Sequence, residues 1–303
     1  MSTGSESART HIDPGGFGGQ SMTAPLRRAL LRAPEPEELA AWADFGWLSE
    51  PDPAAAAREH GAFADLLREA GVEVHLARHA VPGDPDAIYV CDPALLRDDG
   101  VMLLRPGKLG RREEPHALRL DLEALGIPIT SEMSSPATAE GGDLVWIDED
   151  TLLVGRGLRT NAAGVAALRD AFPEAEVIAF DLPYANGPES CFHLMSLLSP
   201  LADDLVVAYP PLMPVALMEL LADRGIQVVP VPDDEFESMG PNVLAVAPRR
   251  AIALQGNPIT RRRMEAAGVD VSAYGGEHIS LRGEGGPTCL TRALLRSEGT
   301  QSR

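Results

Sequence analysis

From Leu26 onward, short apolar runs, polar turns and amphipathic stretches follow one another in a repeating order. Short apolar runs bounded by turn residues predict strands, and apolar positions spaced three and four apart predict helices. Ala87-Ile88-Tyr89-Val90 and Val101-Met102-Leu103-Leu104 are predicted strands around the turn Arg97-Asp98-Asp99-Gly100. A helix near Glu113 to Leu125 and a strand at Ile127-Pro128-Ile129 complete the unit. The next unit pairs Leu144-Val145-Trp146-Ile147 with Thr151-Leu152-Leu153-Val154, then a helix Ala162 to Phe172 capped by Thr160 or Asn161, then Val177-Ile178-Ala179-Phe180. A third runs from Phe192 through Leu205-Val206-Val207-Ala208 and the helix Pro214 to Arg224. A fourth starts at Val243 and ends at Val269-Asp270-Val271. The two chain ends supply a fifth: His278 to Arg282 and Leu290 to Leu295 as strands, Leu26 to Leu31 beside them, and the helix His60 to Ala70 before Val72-Glu73-Val74-His75.

The spacing of these units is roughly 50 residues, inside the range of repeat architectures. Four helix-to-strand joints read alike, Ala70-Gly71-Val72, Leu125-Gly126-Ile127, Arg224-Gly225-Ile226 and Ala267-Gly268-Val269, with glycine as the left-handed helix stop. A closed ring of five units buries every sheet face against a neighbour. An ordinary layered α/β sheet with similar helix stops also satisfies the pattern. Residues 24–296 are expected to form one domain, with flexible tails at 1–23 and 297–303.

Composition narrows the function. The chain has 303 residues, 45% apolar but only 5% aromatic, so its core is built from Ala, Val, Leu and Ile. The formal charge of -19 argues against nucleic acid as a partner and suits a cationic small molecule. No apolar run approaches the roughly 18 residues of a membrane span, and no secretory leader pattern opens the chain. Three widely spaced cysteines, Cys91, Cys191 and Cys289, form no C-x-x-C pair and fit a reducing compartment. The expectation is a cytoplasmic protein, monomer or homodimer, with neither metal nor organic cofactor.

The candidate chemistry begins at Gly283-Glu284-Gly285-Gly286-Pro287-Thr288-Cys289-Leu290, where a glycine-rich bend delivers a single thiol. Alone, such a cysteine also suits a small buried hydrophobe. Polar residues at comparable points of the other units are Asp92, Glu140, His193 and Asn242. Each has an ordinary structural use, as a turn former, surface acid, core histidine or strand cap. Independent structural uses would not require a shared place in the repeat.

Taken together, Glu140-Gly141-Gly142-Asp143, then Gly155-Arg156-Gly157-Leu158-Arg159-Thr160-Asn161, a histidine in an apolar run and a late Thr288-Cys289 resemble the guanidine-modifying (pentein) superfamily. Dimethylarginine dimethylaminohydrolases, arginine deiminases and amidinotransferases belong to it. The resemblance spans Leu26 to Leu295 and implies a five-bladed pseudo-fivefold ββαβ propeller. It implies Cys289 as nucleophile, His193 as general acid/base, and Asp92 and Glu140 as the carboxylates that hold a guanidinium and orient the histidine. It further implies Arg159 and Arg111 as the grip on a substrate α-carboxylate, with Asp143 also on the substrate side.

Two positions depart from the pattern. Deiminases and amidinotransferases carry an aspartate two residues after the histidine, and here stands Met195. On a strand Met195 would share the face of His193, and its lack of charge would favour an N-alkylated guanidine. Cys91 precedes Asp92 where mammalian-type dimethylarginine dimethylaminohydrolases often have glutamate. The segment Ala33 to Ala54 interrupts the fifth unit and is read either as a lid carrying Trp47 or as a packed surface loop. The leading expectation is therefore a cysteine hydrolase of methylated arginine. Arginine deiminase, hydrolysis of another substituted guanidine, and a non-catalytic interaction propeller are the alternatives.

Overall fold

The computed structural model describes residues 16–185, 187 and 191–297. Five three-stranded sheets form, each with the same internal order. Blade one contains β3 (Ala94–Arg97), β4 (Gly100–Leu103) and β5 (Ile129–Glu132); blade two contains β6 (Leu144–Asp148), β7 (Thr151–Arg156) and β8 (Glu176–Asp181). Blade three is β9 (Leu198–Ala202), β10 (Leu205–Ala208) and β11 (Gln227–Pro230). Blade four is β12 (Val243–Ala247), β13 (Arg250–Leu254) and β14 (Asp270–Tyr274). Blade five joins the chain ends: β15 (Arg292–Arg296) pairs antiparallel with β1 (Leu26–Leu31), which pairs parallel with β2 (Glu73–Leu76). A short α1 (Pro36–Leu39) precedes α2 (Pro53–Glu69), the crossover helix of blade five. The other crossovers are α3 (Glu114–Ala124), α4 (Ala162–Ala171), α5 (Val215–Asp223) and α6 (Pro258–Ala266).

The middle strands explain why a ring closes. Successive strand side chains face opposite ways, and each middle strand gives alternate residues to alternate neighbours. In β4, Val101 and Leu103 pack with Leu30 and Leu294 of blade five, while Met102 packs with Leu144 and Trp146 of blade two. In β7, Leu152 and Val154 face blade one and Leu153 faces blade three. β10 divides Val206 and Ala208 from Leu205 and Val207, and β13 divides Ala251 and Ala253 from Ile252 and Leu254. Every pair of adjacent blades thereby shares one apolar cluster, and blade five meets both blade four and blade one. This is the pseudo-fivefold α/β propeller, and the uninterrupted apolar runs of its middle strands follow from burial on both faces.

The four glycines expected to stop helices all have positive φ: Gly71 (87°), Gly126 (74°), Gly225 (69°) and Gly268 (83°). Asn161 caps α4, its side chain accepting from the Gly164 N–H.

Three predicted strands are corrected. Ala87 to Val90 is not a strand; Pro85–Ile88 is a tight helical turn, started by the Asp84 side chain accepting from Asp86 N, and the strand comes later, at Ala94–Arg97. His278 to Arg282 falls in a wide helical turn, Glu277–Leu281, because the Glu59 carboxylate of α2 accepts the N–H groups of Glu277, His278 and Ile279. The stretch after Phe192 turns at Leu194–Ser196 before β9 begins. Two residues expected within the N-terminal tail are packed: Gly18 exchanges backbone hydrogen bonds with Leu294 and Arg296, and Phe17 packs on blade one. Residues 1–15 and 298–303 lie outside the described residues.

Candidate active site

Moving the first strand of blade one to Ala94–Arg97 changes where Asp92 stands. It now lies just ahead of the first strand of its blade, as Glu140 does before β6, His193 before β9, Asn242 before β12 and Cys289 before β15. All five polar candidates therefore occupy one point of the repeat, and the ring brings these loops together.

Close packing there depends on missing side chains. A methyl group at Gly142 would strike the His193 imidazole, and one at Gly285 would enter the Tyr89 ring. These contacts account for two glycines of the motifs by space rather than by flexibility.

Glu140 is fully buried. Its Oε2 meets His193 Nε2 at 2.7 Å, and its Oε1 accepts from Lys108 N at 3.2 Å with Arg159 Nη1 at 3.6 Å. Burial alone would raise its carboxyl. The hydrogen bond and charge of His193, with Arg111 and Arg159, overcome that and hold it below the usual carboxylate range. For His193 burial opposes the charge, yet Cys191, Asp92 and Asp143 carry its pKa well above the ordinary value. The pair is a carboxylate–imidazolium couple. Cys191 Sγ lies 3.6 Å from His193 Nδ1, so both ring nitrogens are engaged and neither is bonded to Cys289.

Cys289 is buried, its Sγ accepting from Asn242 Nδ2 at 3.4 Å. Burial pushes its thiol up to about 12, and Asp92 adds to the rise. The resting site holds a protonated thiol among carboxylates.

A small pocket in front of Cys289 is lined by Asp92, Arg159, Cys191 and Glu284 and roofed by Phe45 and Trp47. Its remaining space, ≈ 20 Å³, holds about one water. The roof is pinned: Trp47 Nε1 donates to Asp86 Oδ1 at 2.7 Å, and Lys108 Nζ bridges Asp86 Oδ2 at 2.5 Å and the Phe45 carbonyl at 2.6 Å. Asp86 and Lys108 had no signal in the sequence beyond ordinary surface charge, and folding alone makes them neighbours.

Three predicted site residues stand otherwise than expected. Arg111 is buried at the wall of the Cys289 pocket, with Nη1 2.7 Å from Asp92 Oδ2 and Nε 2.5 Å from Glu114 Oε1, so its guanidinium is already paired with internal acids. Asp143 accepts from Thr160 Oγ1 at 2.6 Å and from Leu194 N at 3.0 Å; it fastens the His193 turn to blade two, and burial raises it to about 7. Met195 does not line the Cys289 pocket. The chain turns after His193 instead of extending, so the alternation that would align the two is absent. Met195 packs with Val145, Leu198 and Val206, beside a separate apolar cavity lined by Cys91 and Thr288.

Asp92, Glu140 and His193 each offer a ligand atom within 4.8 Å of the others. Arg111 Nη1 already lies 2.7 Å from Asp92 and 3.7 Å from Glu140, and a divalent ion there would face that guanidinium.

A family model described as N,N dimethylarginine dimethylhydrolase, eukaryotic, matches residues 49–280. The chain belongs to this family. An N(G),N(G)-dimethylarginine dimethylaminohydrolase of Streptomyces coelicolor is 28% identical over 277 residues, 89% of this chain and 98% of that protein. The arginine deiminase of Listeria welshimeri is 26% identical over 257 residues, 70% of this chain and 62% of the deiminase. Among solved structures, DDAH from Pseudomonas aeruginosa complexed with citrulline superposes with a TM-score of 0.72 at 22% identity, covering 88% of this chain and 98% of that one. The N-terminal domain of ArgZ, a cyanobacterial arginine dihydrolase, gives 0.76 at 20% identity over 89% and 97%. The dimethylarginine dimethylhydrolase family thus places the chain among enzymes of guanidino groups, on the fold these neighbours share.

Proposed function

We propose that the protein hydrolyses N-methylated arginine to citrulline and methylamine or dimethylamine, with Cys289 as nucleophile. The observation that carries this reading is the Cys289 thiol and the Asp92 carboxylate lining one pocket roofed by Phe45 and Trp47, with the hydrogen-bonded Glu140–His193 pair within 4.8 Å of Asp92 behind it. A guanidinium is planar and cationic, and a carboxylate pairs with its N–H edge. Its charge also answers the acids that keep the thiol protonated, so binding favours the thiolate, with the thiol proton released to solvent as the substrate enters.

The Cys289 sulfur then bonds to the guanidine carbon. The bond to the methylated nitrogen breaks as the His193 imidazolium gives that nitrogen its proton. What remains on Cys289 is a thiouronium. His193, now neutral, takes one proton from water as the water oxygen attacks the same carbon; the C–S bond then breaks, and the remaining hydroxyl proton passes to the sulfur, releasing the neutral urea product and restoring the thiol. Glu140 holds the imidazole through Nε2 and favours its cationic form. The Phe45–Trp47 roof excludes bulk water while the adduct exists.

Dimethylarginine, monomethylarginine and arginine assayed side by side, with citrulline and released amine quantified, test the substrate. Turnover of methylated arginine that falls at least ~10³-fold in Cys289→Ser, with an unchanged melting curve, is expected. Full activity in that variant removes Cys289 from the chemistry. Turnover confined to unmethylated arginine replaces this reading with a deiminase.

A further inference from the structure

The Cys289 pocket opens beside a second cavity of ≈ 300 Å³. The two share Cys191 and Glu284, and the second also reaches Asn242, the side chain that donates to Cys289 Sγ at 3.4 Å. Phe192, Leu212, Phe236 and Leu281 give it apolar walls, and its charged residues among the described ones are Glu284 and Glu237. A cavity with aromatic and aliphatic walls and two carboxylates suits an organic cation on a short apolar chain.

Glu284 stands on the boundary, and its setting points to a ligand. It sits in the glycine-rich bend with φ of 58°, a conformation that costs a residue with a Cβ and that glycine would adopt freely. Its carboxylate is half-buried and makes no ion pair among the described residues; its hydrogen bond comes from the Cys191 N–H, at 3.4 Å. The cations that face it have acids of their own: Lys108 Nζ meets Asp86 at 2.5 Å, and Arg159 Nη1 lies 3.6 Å from Glu140. The exposed Glu237 nearby repels it, and burial raises its carboxyl. A carboxylate held in a strained backbone, partly out of water, without a matching cation, is arranged for a charge that arrives with the substrate.

We propose that Glu284 binds a primary ammonium at the far end of the substrate, making the substrate a guanidine joined by an aliphatic chain to an amine. This rests on the guanidine reading of the Cys289 pocket and adds the determinant at its other end. The guanidinium enters under Phe45 and Trp47, and the ammonium stays at the junction of the two cavities, between Glu284 and the aromatic walls.

Binding to full-length Cys289→Ser protein, measured by calorimetry, separates the possibilities without turnover. Three probes are used: dimethylarginine, its des-amino analogue, and its decarboxylated analogue. Loss of the amine is expected to weaken binding at least ~10-fold, and loss of the carboxylate less. Adding Glu284→Gln should reduce the amine effect to under ~2-fold while the des-amino analogue binds as before. Glu284→Gly, which relieves the positive φ, should lose the same preference and raise Tm by about 2–4 °C. An amine preference that survives in both variants overturns the proposal. So does affinity that ignores the amine and instead follows the size of the N-alkyl group, which would assign the second cavity to the leaving amine. In either case the guanidines still bind. If none of the three binds, the guanidine reading of the site fails and this proposal falls with it.

Discussion

Cys289 keeps its proton at neutral pH for reasons visible around it: a buried sulfur, the Asp92 carboxylate, and a histidine already engaged by Glu140 and Cys191. In the proposed mechanism, generating the thiolate therefore falls to the charge of a bound substrate. Met195 shows the same dependence on surroundings from the opposite side. Its apparent partnership with His193 rests on strand alternation, and the turn at Leu194–Ser196 abolishes it. Met195 is 1% exposed in an apolar cluster. Met195→Asp would bury an unpaired carboxylate at a cost of several kcal/mol. The expected result is a marked fall in Tm with the kcat/KM ratio of methylated to plain arginine unchanged. A stable variant with a shifted ratio would return this position to the substrate pocket. The shared place of Cys289, Glu140 and His193 ahead of the first strands of their blades was legible in the sequence. The engagement of Arg111 by Glu114 and Asp92 was not, because a one-dimensional pattern carries no direction for a guanidinium.

Among the elements, helices and their stops were the most legible, because a helix and its cap are set by neighbours a few residues away. Short apolar runs were the least. Ala87 to Val90 and Ala94 to Leu96 are equally apolar, and only pairing with β4 makes the second a strand. Helix α2 carries a feature that periodicity hides. His60 is buried with Nε2 lacking a hydrogen-bond partner among the described residues, and burial lowers its pKa to about 4. It is neutral in the fold and protonated in the unfolded chain between about pH 6.5 and 4. The unfolded chain then binds the extra proton, so stability present above that window is lost as pH falls through it, by roughly 2–3 kcal/mol at pH 4.5. His60→Leu should remove that part of the acid loss. Urea unfolding of both proteins at pH 7 and pH 4.5 measures it; identical acid losses would mean that His60 is not neutral in the native state.

At the scale of the molecule, blade five closes the ring with strands from both chain ends. Arg292 Nη1 donates to the Cys91 carbonyl at 2.9 Å, Arg296 Nη2 donates to the Ala245 carbonyl at 2.8 Å, and Leu294 is fully buried. Ending the chain after residue 291 would leave β1 unpaired on one edge and two blade interfaces incomplete. The expected outcome is loss of the cooperative thermal transition, and a melt near the full-length Tm would show that closure is dispensable. The repeat, its helix stops and the residue types of the site were determined by the sequence alone, since each depends on spacing and on chemistry carried within a short window. Tertiary structure decided which polar groups face one another, which cations are already engaged and which acid makes no ion pair among the described residues. Those outcomes depend on side chains from separate blades meeting at the axis, and no local stretch contains the distance between them.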